Sequence, residues 1–276
     1  MAPNGSAPCN ACSVGTYQPL GVSQVYACLE CGPGQASPDA ATPCAACPVG
    51  QYQQQDASSV TACHACAKGF VAADATTPCA SCAVGQYQTA TEQTACIGCG
   101  TGKYLDQQAQ TAESACKGCD TGKFQDATGA ASCSDCASGR AQPDIGQRSC
   151  DSCDAGEFMP DTGATACLVC STEKGEGYGS SEGASECNKA APNYFLNTNG
   201  EPELCPDGVK CGKEGVTTET MVLKDGFFKF AAKSEEVYAC TYEDNCKAPG
   251  SSDSALVGQK LCADGSKGPL CSVCKG

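Results

Sequence analysis

The stretch Cys44-Ala45-Ala46-Cys47-Pro48-Val49-Gly50-Gln51-Tyr52 decides the fold, because its pattern returns along the first two thirds of the chain. Outward from it, Cys-x-x-Cys pairs stand at 9/12, 28/31, 44/47, 63/66, 79/82, 96/99, 116/119, 133/136, 150/153 and 167/170. Three residues after each of the first nine pairs comes a glycine: Gly15, Gly34, Gly50, Gly69, Gly85, Gly102, Gly122, Gly139 and Gly156. A glycine fixed at one offset implies a positive φ or a close backbone approach in a tight turn. Two residues further on, Tyr17, Tyr52, Tyr87, Tyr104, Phe124 and Phe158 occupy one position, with Ala36, Val71 and Ala141 replacing the aromatic. Alternate pairs define about five double modules of roughly 35 residues, each with an aromatic expected to lie over its own cross-links. Between the pairs, Gln, Ala, Thr, Ser and Asp show no helical period, which leaves room for turns and strands of two or three residues.

Composition explains why the cysteines matter. Leu, Ile, Val and Phe together supply 33 of 276 residues, about 12%, too little to offset chain entropy without cross-links. The 28 cysteines must therefore replace a core. A net charge of −14 argues against nucleic acid or an anionic membrane surface as partner. No run of apolar residues is long enough to span a bilayer, and the first residues lack the features of a signal peptide. Any export signal is expected to lie outside this sequence.

The predicted organisation is a flexible start at 1–8, a tandem array at 9–187 and a β-rich cysteine-containing segment at 188–276. The expected fold class is small disulfide-rich repeats with short hairpins, forming an elongated rod followed by a small β-rich domain. In the last segment the cysteines spread to Cys187, Cys205, Cys211, Cys240, Cys246, Cys262, Cys271 and Cys274. There Thr220 to Phe230 reads as a hairpin turning at Asp225-Gly226, and Val237 to Tyr242 as a third strand.

Two chemistries fit the pairs. Four-thiolate zinc sites have similar spacing, and a multi-site zinc protein is one alternative. Disulfides suit the acidic surface and the absence of other metal ligands better, since His64 is the only histidine and has no counterpart in the other pairs. All 28 cysteines are then disulfide candidates: Cys9, Cys12, Cys28, Cys31, Cys44, Cys47, Cys63, Cys66, Cys79, Cys82, Cys96, Cys99, Cys116, Cys119, Cys133, Cys136, Cys150, Cys153, Cys167 and Cys170 in the array, with the eight above. Two connectivities compete. A ladder joins each second cysteine to the first of the next pair, 12–28, 31–44 and onward to 170–187, and strands Cys9 and Cys274. A modular scheme joins first to third and second to fourth, 9–28 with 12–31, and the double-length repeat favours it. In the last segment 205–211, 240–246 and 262–271 are the expected local loops.

The pattern Cys-x-x-Cys-x-x-Gly-x-Tyr/Phe, as in Cys119-Asp120-Thr121-Gly122-Lys123-Phe124, resembles the cysteine-rich repeat of ephrin-receptor ectodomains, related to tumour-necrosis-factor-receptor modules, over roughly residues 9–187. Residues 226–274 resemble the segment that follows such repeats in large surface proteins of algae and other protists. The final Gly268-Pro269-Leu270-Cys271-Ser272-Val273-Cys274 is similar to the end of growth-factor-like or laminin-type modules. The resemblance implies a non-enzymatic extracellular array and transfers no ligand.

The expected role is a structural spacer within a larger surface or appendage assembly, such as a flagellar-hair-like filament, with other extracellular proteins or copies of itself as partners. The alternative is a receptor or adhesion ectodomain binding protein or glycan through Phe227, Phe228, Phe230 and Tyr242. No cofactor, catalytic residue or metal site is expected. Asn4, in the only Asn-x-Ser/Thr sequon, is the glycosylation candidate.

Overall fold

The computed structural model describes residues 12–13, 15–18, 28–39, 42–54, 61–247 and 257–274. Its regular structure is almost entirely two-stranded antiparallel hairpins, with strands of two or three residues. One short α-helix, Cys170–Glu173, stands among the described residues.

The local rule is visible at the defining stretch. Gln51 N–H donates to the carbonyl of Pro48 at 3.1 Å, closing a turn whose third residue, Gly50, has φ 75°. A turn with positive φ at that place is a glycine turn. The two residues after it, Gln51–Tyr52, form a strand that pairs with His64–Ala65, the dipeptide enclosed by the next Cys-x-x-Cys pair. Cys66 N–H then donates to the carbonyl of Gly50 at 3.2 Å. The same arrangement recurs at Phe70–Val71 with Ala80–Ser81, Gln86–Tyr87 with Ile97–Gly98 and Glu157–Phe158 with Leu168–Val169. The x-x of each pair from 28/31 to 167/170 is thus an edge strand.

That strand corrects the expected connectivity. The bridges are 12–28, 31–44, 47–63, 66–79, 82–96, 99–116, 119–133, 136–150, 153–167 and 170–187. This is the ladder, and the modular scheme is wrong. In an extended stretch side chains alternate faces, so cysteines three residues apart point to opposite sides. One reaches back to the preceding loop and the other forward to the next; both cannot face the same neighbouring pair. The double period in the aromatics is therefore not a period of covalent closure.

The chain divides into two compact units, one of Met1–Asp120, Phe124–Ser134 and Ile145–Ser149, the other of Thr121–Lys123, Asp135–Asp144 and Cys150–Gly276. In the first, Gly102 N–H donates to Gln125 O, Leu105 N–H to Ala130 O and Gly129 N–H to Cys99 O. Each loop is thus bonded by its backbone to the next. Contact also skips one loop: a Cβ placed on Gly102 would lie 2.0 Å from the carbonyl oxygen of Gly146, two loops on. In the second unit Gly139 N–H donates to Met159 O, Met159 N–H to Ala184 O and Gly163 N–H to Cys136 O. There a Cβ on Gly139 would lie 2.1 Å from the carbonyl oxygen of Gly183. The repeated glycine therefore serves both purposes that its fixed offset suggests.

Beyond Cys187 the second unit keeps the hairpin and changes the filling. Tyr194–Leu196 pairs with Pro202–Leu204, and Phe227–Phe228 with Tyr238–Ala239. Bridges 205–211, 240–246 and 262–271 close the loops expected for this segment. Phe195, Val209, Met221, Leu223, Phe228 and Leu261 form a buried apolar cluster with Cys211, Cys240, Cys246 and Cys271. The expected hairpin at 220–230 is corrected. Gly226 does sit in a turn with φ 82°, but Leu223 bridges to Val209 while Phe227–Phe228 pairs forward with Tyr238–Ala239. Asp225-Gly226 is one more copy of the glycine turn that opens the hairpins of the array, and Cys240 N–H donates to the carbonyl of Gly226 at 2.7 Å as in the array.

Candidate interaction surface

Of the 28 cysteines named from the sequence, those the structure describes in full are structural. Twenty-six of them lie in the thirteen bridges, with Cα separations of 5.2 to 6.4 Å, and a bridged sulfur offers no thiolate to a metal. Cys9 and Asn4 lie outside the described residues, as does the side chain of Cys274. His64 is exposed on its edge strand, its ring 5.5 Å from that of its strand partner Tyr52. That is a cross-strand packing contact.

The position that holds each loop together was missed in the sequence. It is the third residue after the glycine, buried at Ser37, Gln53, Ala72, Gln88, Leu105, Gln142, Met159 and Ser180, half-buried at Gln125 and exposed at Gln18. The aromatic position before it is less uniform, since Tyr87 and Phe158 are buried while Tyr52, Tyr104 and Phe124 are half-buried. Gln88 shows why a polar residue suits an interior place. Its Nε2 donates to the carbonyl of Ala95 at 2.8 Å and its Oε1 accepts from Ala90 N–H at 3.1 Å, so one amide staples both arms of the loop just before Cys96. Gln125 repeats this with Ser132 O and Ala127 N–H. A buried amide is tolerated because both ends are bonded. The recurrent Tyr-Gln or Phe-Gln at 17–18, 52–53, 87–88 and 124–125 was the available signal.

In the last segment the same position holds Lys229, buried at 3% exposure. Its Nζ donates to the carbonyl of Thr218 and lies 3.8 Å from Met221 Sδ. Burial pushes its pKa down, against a smaller upward pull from Glu219. Next to it the aromatics form a chain: Phe228 and Phe230 meet edge to face with ring centres 5.0 Å apart, and Phe230 and Tyr238 likewise at 5.3 Å. Phe228 is buried, whereas Phe230, Tyr238 and Tyr242 are exposed at 50%, 37% and 61%. The Tyr238 hydroxyl donates to the Glu236 carboxylate, and that bond raises its pKa. Of the four aromatics proposed for recognition, Phe228 is a core residue, Phe227 is half-buried, and Phe230 and Tyr242 are available, with Tyr238 an addition.

A cleft of about 490 Å³ nearby is lined by Asp225, Glu243, Asp244, Cys246 and Lys247. Among the described residues no group of His, Cys, Asp or Glu is arranged to hold a metal ion, and no helix is long and apolar enough to cross a membrane. The surface offers aromatic faces and scattered carboxylates for packing and hydrogen bonding.

With the staggered bridges and the repeated glycine turn in view, residues 69–116 match the family described as tyrosine-protein kinase ephrin type A/B receptor-like. The chain carries an ephrin-receptor-like cysteine-rich repeat array. Because the same bridge and turn continue on both sides of the match, the array runs from the loop closed by 12–28 to the loop closed by 170–187. No curated protein matches the chain. The repeat family is a non-catalytic ectodomain type, and an array of disulfides fits an extracellular location, where thiols are not kept reduced.

Proposed function

We propose that this protein is a non-enzymatic extracellular structural spacer, one segment of a larger cell-surface or appendage assembly such as a filament. Its partners are other extracellular proteins or copies of itself. The observation that carries this reading is the unbroken ladder of ten bridges from Cys12 to Cys187. A scaffold of this kind sets spacing without needing a ligand pocket. Labelling intact cells with an antibody to the array, together with sedimentation of the oxidised protein over a hundredfold range of concentration, tests it. Surface labelling with concentration-dependent assembly is expected; intracellular staining and a monomer at every concentration would overturn it.

A receptor or adhesion role is the second reading, supported by the exposed ring faces of Phe230, Tyr238 and Tyr242. It predicts that Phe230→Ser with Tyr242→Ser abolishes cell binding while assembly persists.

A further inference from the structure

The bridges sort the backbone into stretches that a covalent link bypasses and stretches that none bypasses. From Cys12 to Cys187 each bridge spans 13 to 17 residues. The next bridge begins three residues after the last one closes, as Cys63 is followed by Cys66 and Cys79 by Cys82. A pull along the chain therefore crosses a sulfur–sulfur bond, passes through the two residues of a Cys-x-x-Cys pair and enters the next bridge. The glycine turn and the glutamine staple lie on loops outside that path, and the hairpin bonds reach it only at the two residues of each pair, which are already extended. Breaking them releases almost no length, because the Cα atoms joined by each bridge stay 5.5 to 5.8 Å apart.

The segment after Cys187 is built the other way. Its bridges span 6, 6 and 9 residues, and the stretches from Cys187 to Cys205 and from Cys211 to Cys240 carry no bypass. Those stretches hold the hairpin Tyr194–Leu196 with Pro202–Leu204 and the core residues Met221, Leu223 and Phe228. Tension reaches noncovalent contacts directly there.

We propose that residues 12–187 are a tension-bearing linker whose length under load is capped by its ten disulfides, in series with a compliant element at 188–239. At roughly 3.3 to 3.6 Å per residue the bridged array can extend to about 150 Å, against about 600 Å for the same residues unbridged. The cap follows from the connectivity; only the presence of a load in the organism rests on the spacer reading.

The test holds the full 276-residue chain by its two ends in an optical trap and pulls it with and without a dithiol, which converts each disulfide into two thiols and is itself oxidised to a disulfide. Without reductant, the length gained on unfolding stays below about 300 Å and comes from the segments outside the bridges. Reductant adds about 500 Å, about 450 Å from the array and about 50 Å from the three short bridges after Cys187. Cys119→Ser with Cys133→Ser, which leaves the other bridges in place, adds about 40 Å in the absence of reductant. Gains well above 300 Å from the oxidised chain, no increment with reductant, or no increment from the double variant would each overturn the proposal. A capped extension in a protein found unattached at both ends would remove the spacer reading and leave the cap standing.

Discussion

The array at 12–187 and the segment at 188–274 use the same hairpin and hold it by different means. In both, a glycine turn opens a short strand and the amide after the partner strand returns to that glycine, as Cys136 N–H does to Gly122 and Cys240 N–H to Gly226. In the array the most buried residues include Cys66, Cys82, Cys119, Cys136, Cys153 and Cys170, each the start of a bridge of 13 to 17 residues. In the later segment they include Phe228, Leu223 and Leu261, and the bridges close only 6 to 9 residues. Closing a loop of 15 residues is worth about 3 kcal/mol in the chain-entropy model, and one of 6 about 2 kcal/mol. Burying a large apolar side chain contributes about 1.5 to 3 kcal/mol. Either route supports a hairpin too short to stand alone.

The largest expected effect is that of full reduction. Removing ten links of about 3 kcal/mol each leaves the array without a core to fall back on, so its backbone amides lose protection from hydrogen exchange. Residual protection is expected at Phe195, Leu223 and Phe228. Equal loss everywhere would erase the contrast between the two regions.

Phe228→Ala acts on the other side of the comparison. A buried aromatic replaced by alanine costs about 3 to 5 kcal/mol, and the loss is expected in the exchange of residues 195–271 with the bridged loops at 31–167 unchanged. Propagation of the loss into those loops would show that the array leans on the apolar cluster.

The glycines sharpen the description of the array itself. Gly102 and Gly156 have φ of 75° and 86°, but an added Cβ at Gly156 meets nothing within 4 Å whereas at Gly102 it meets the Gly146 carbonyl. Gly156→Ala should therefore cost only the conformational term of about 1 to 2 kcal/mol. Gly102→Ala must also push a neighbouring backbone away, and a visibly lower melting temperature is expected than for Gly156→Ala. Equal melting temperatures would deny the contact between loops two apart. At the receiving tips, Ala109 holds φ 55° where Gly146 and Gly183 hold 72° and 70°, so Ala109→Gly is expected to stabilise by about 0.5 to 1 kcal/mol.

The smallest effect concerns pH. Lys229 has a folded pKa below its unfolded value because burial disfavours its charge. The folded state then binds fewer protons than the unfolded one between the two values, and stability rises with pH across that window. Lys229→Met should remove this slope in denaturation curves taken at alkaline pH, and a slope that persists would place its origin elsewhere.

The turn glycines, the short strands and the bridged loops at 205–211, 240–246 and 262–271 were legible in the sequence, because a fixed glycine offset and a short cysteine spacing leave few geometries. The array's pairing was not. Spacing alone treats the two cysteines of a pair as equivalent, and only the strand between them makes one face backward and the other forward. Gln88 was overlooked for a similar reason, since an amide reads as a surface group until the loop around it supplies both partners. At Gly226 the turn was read correctly and its strands wrongly: Phe228 pairs with Tyr238 across an intervening loop, not with the residues just before the turn. Asn193, with φ 72° and its carbonyl accepting from Cys205 N–H, fills the place of the repeat glycine without being one.

One peptide map bears most directly on the ladder. Trypsin cuts after Lys117, between Cys116 and Cys119, and also after Lys68, Lys103, Lys123 and Arg140. Digestion of the oxidised protein, with any free thiols first alkylated so that none is left to exchange, should yield the peptide 104–117 joined to the peptide 69–103 through the 99–116 bridge, and 69–103 joined in turn to residues 1–68 through the 66–79 bridge. Recovery of 104–117 joined instead to 124–140, through Cys116 and Cys133, would contradict it.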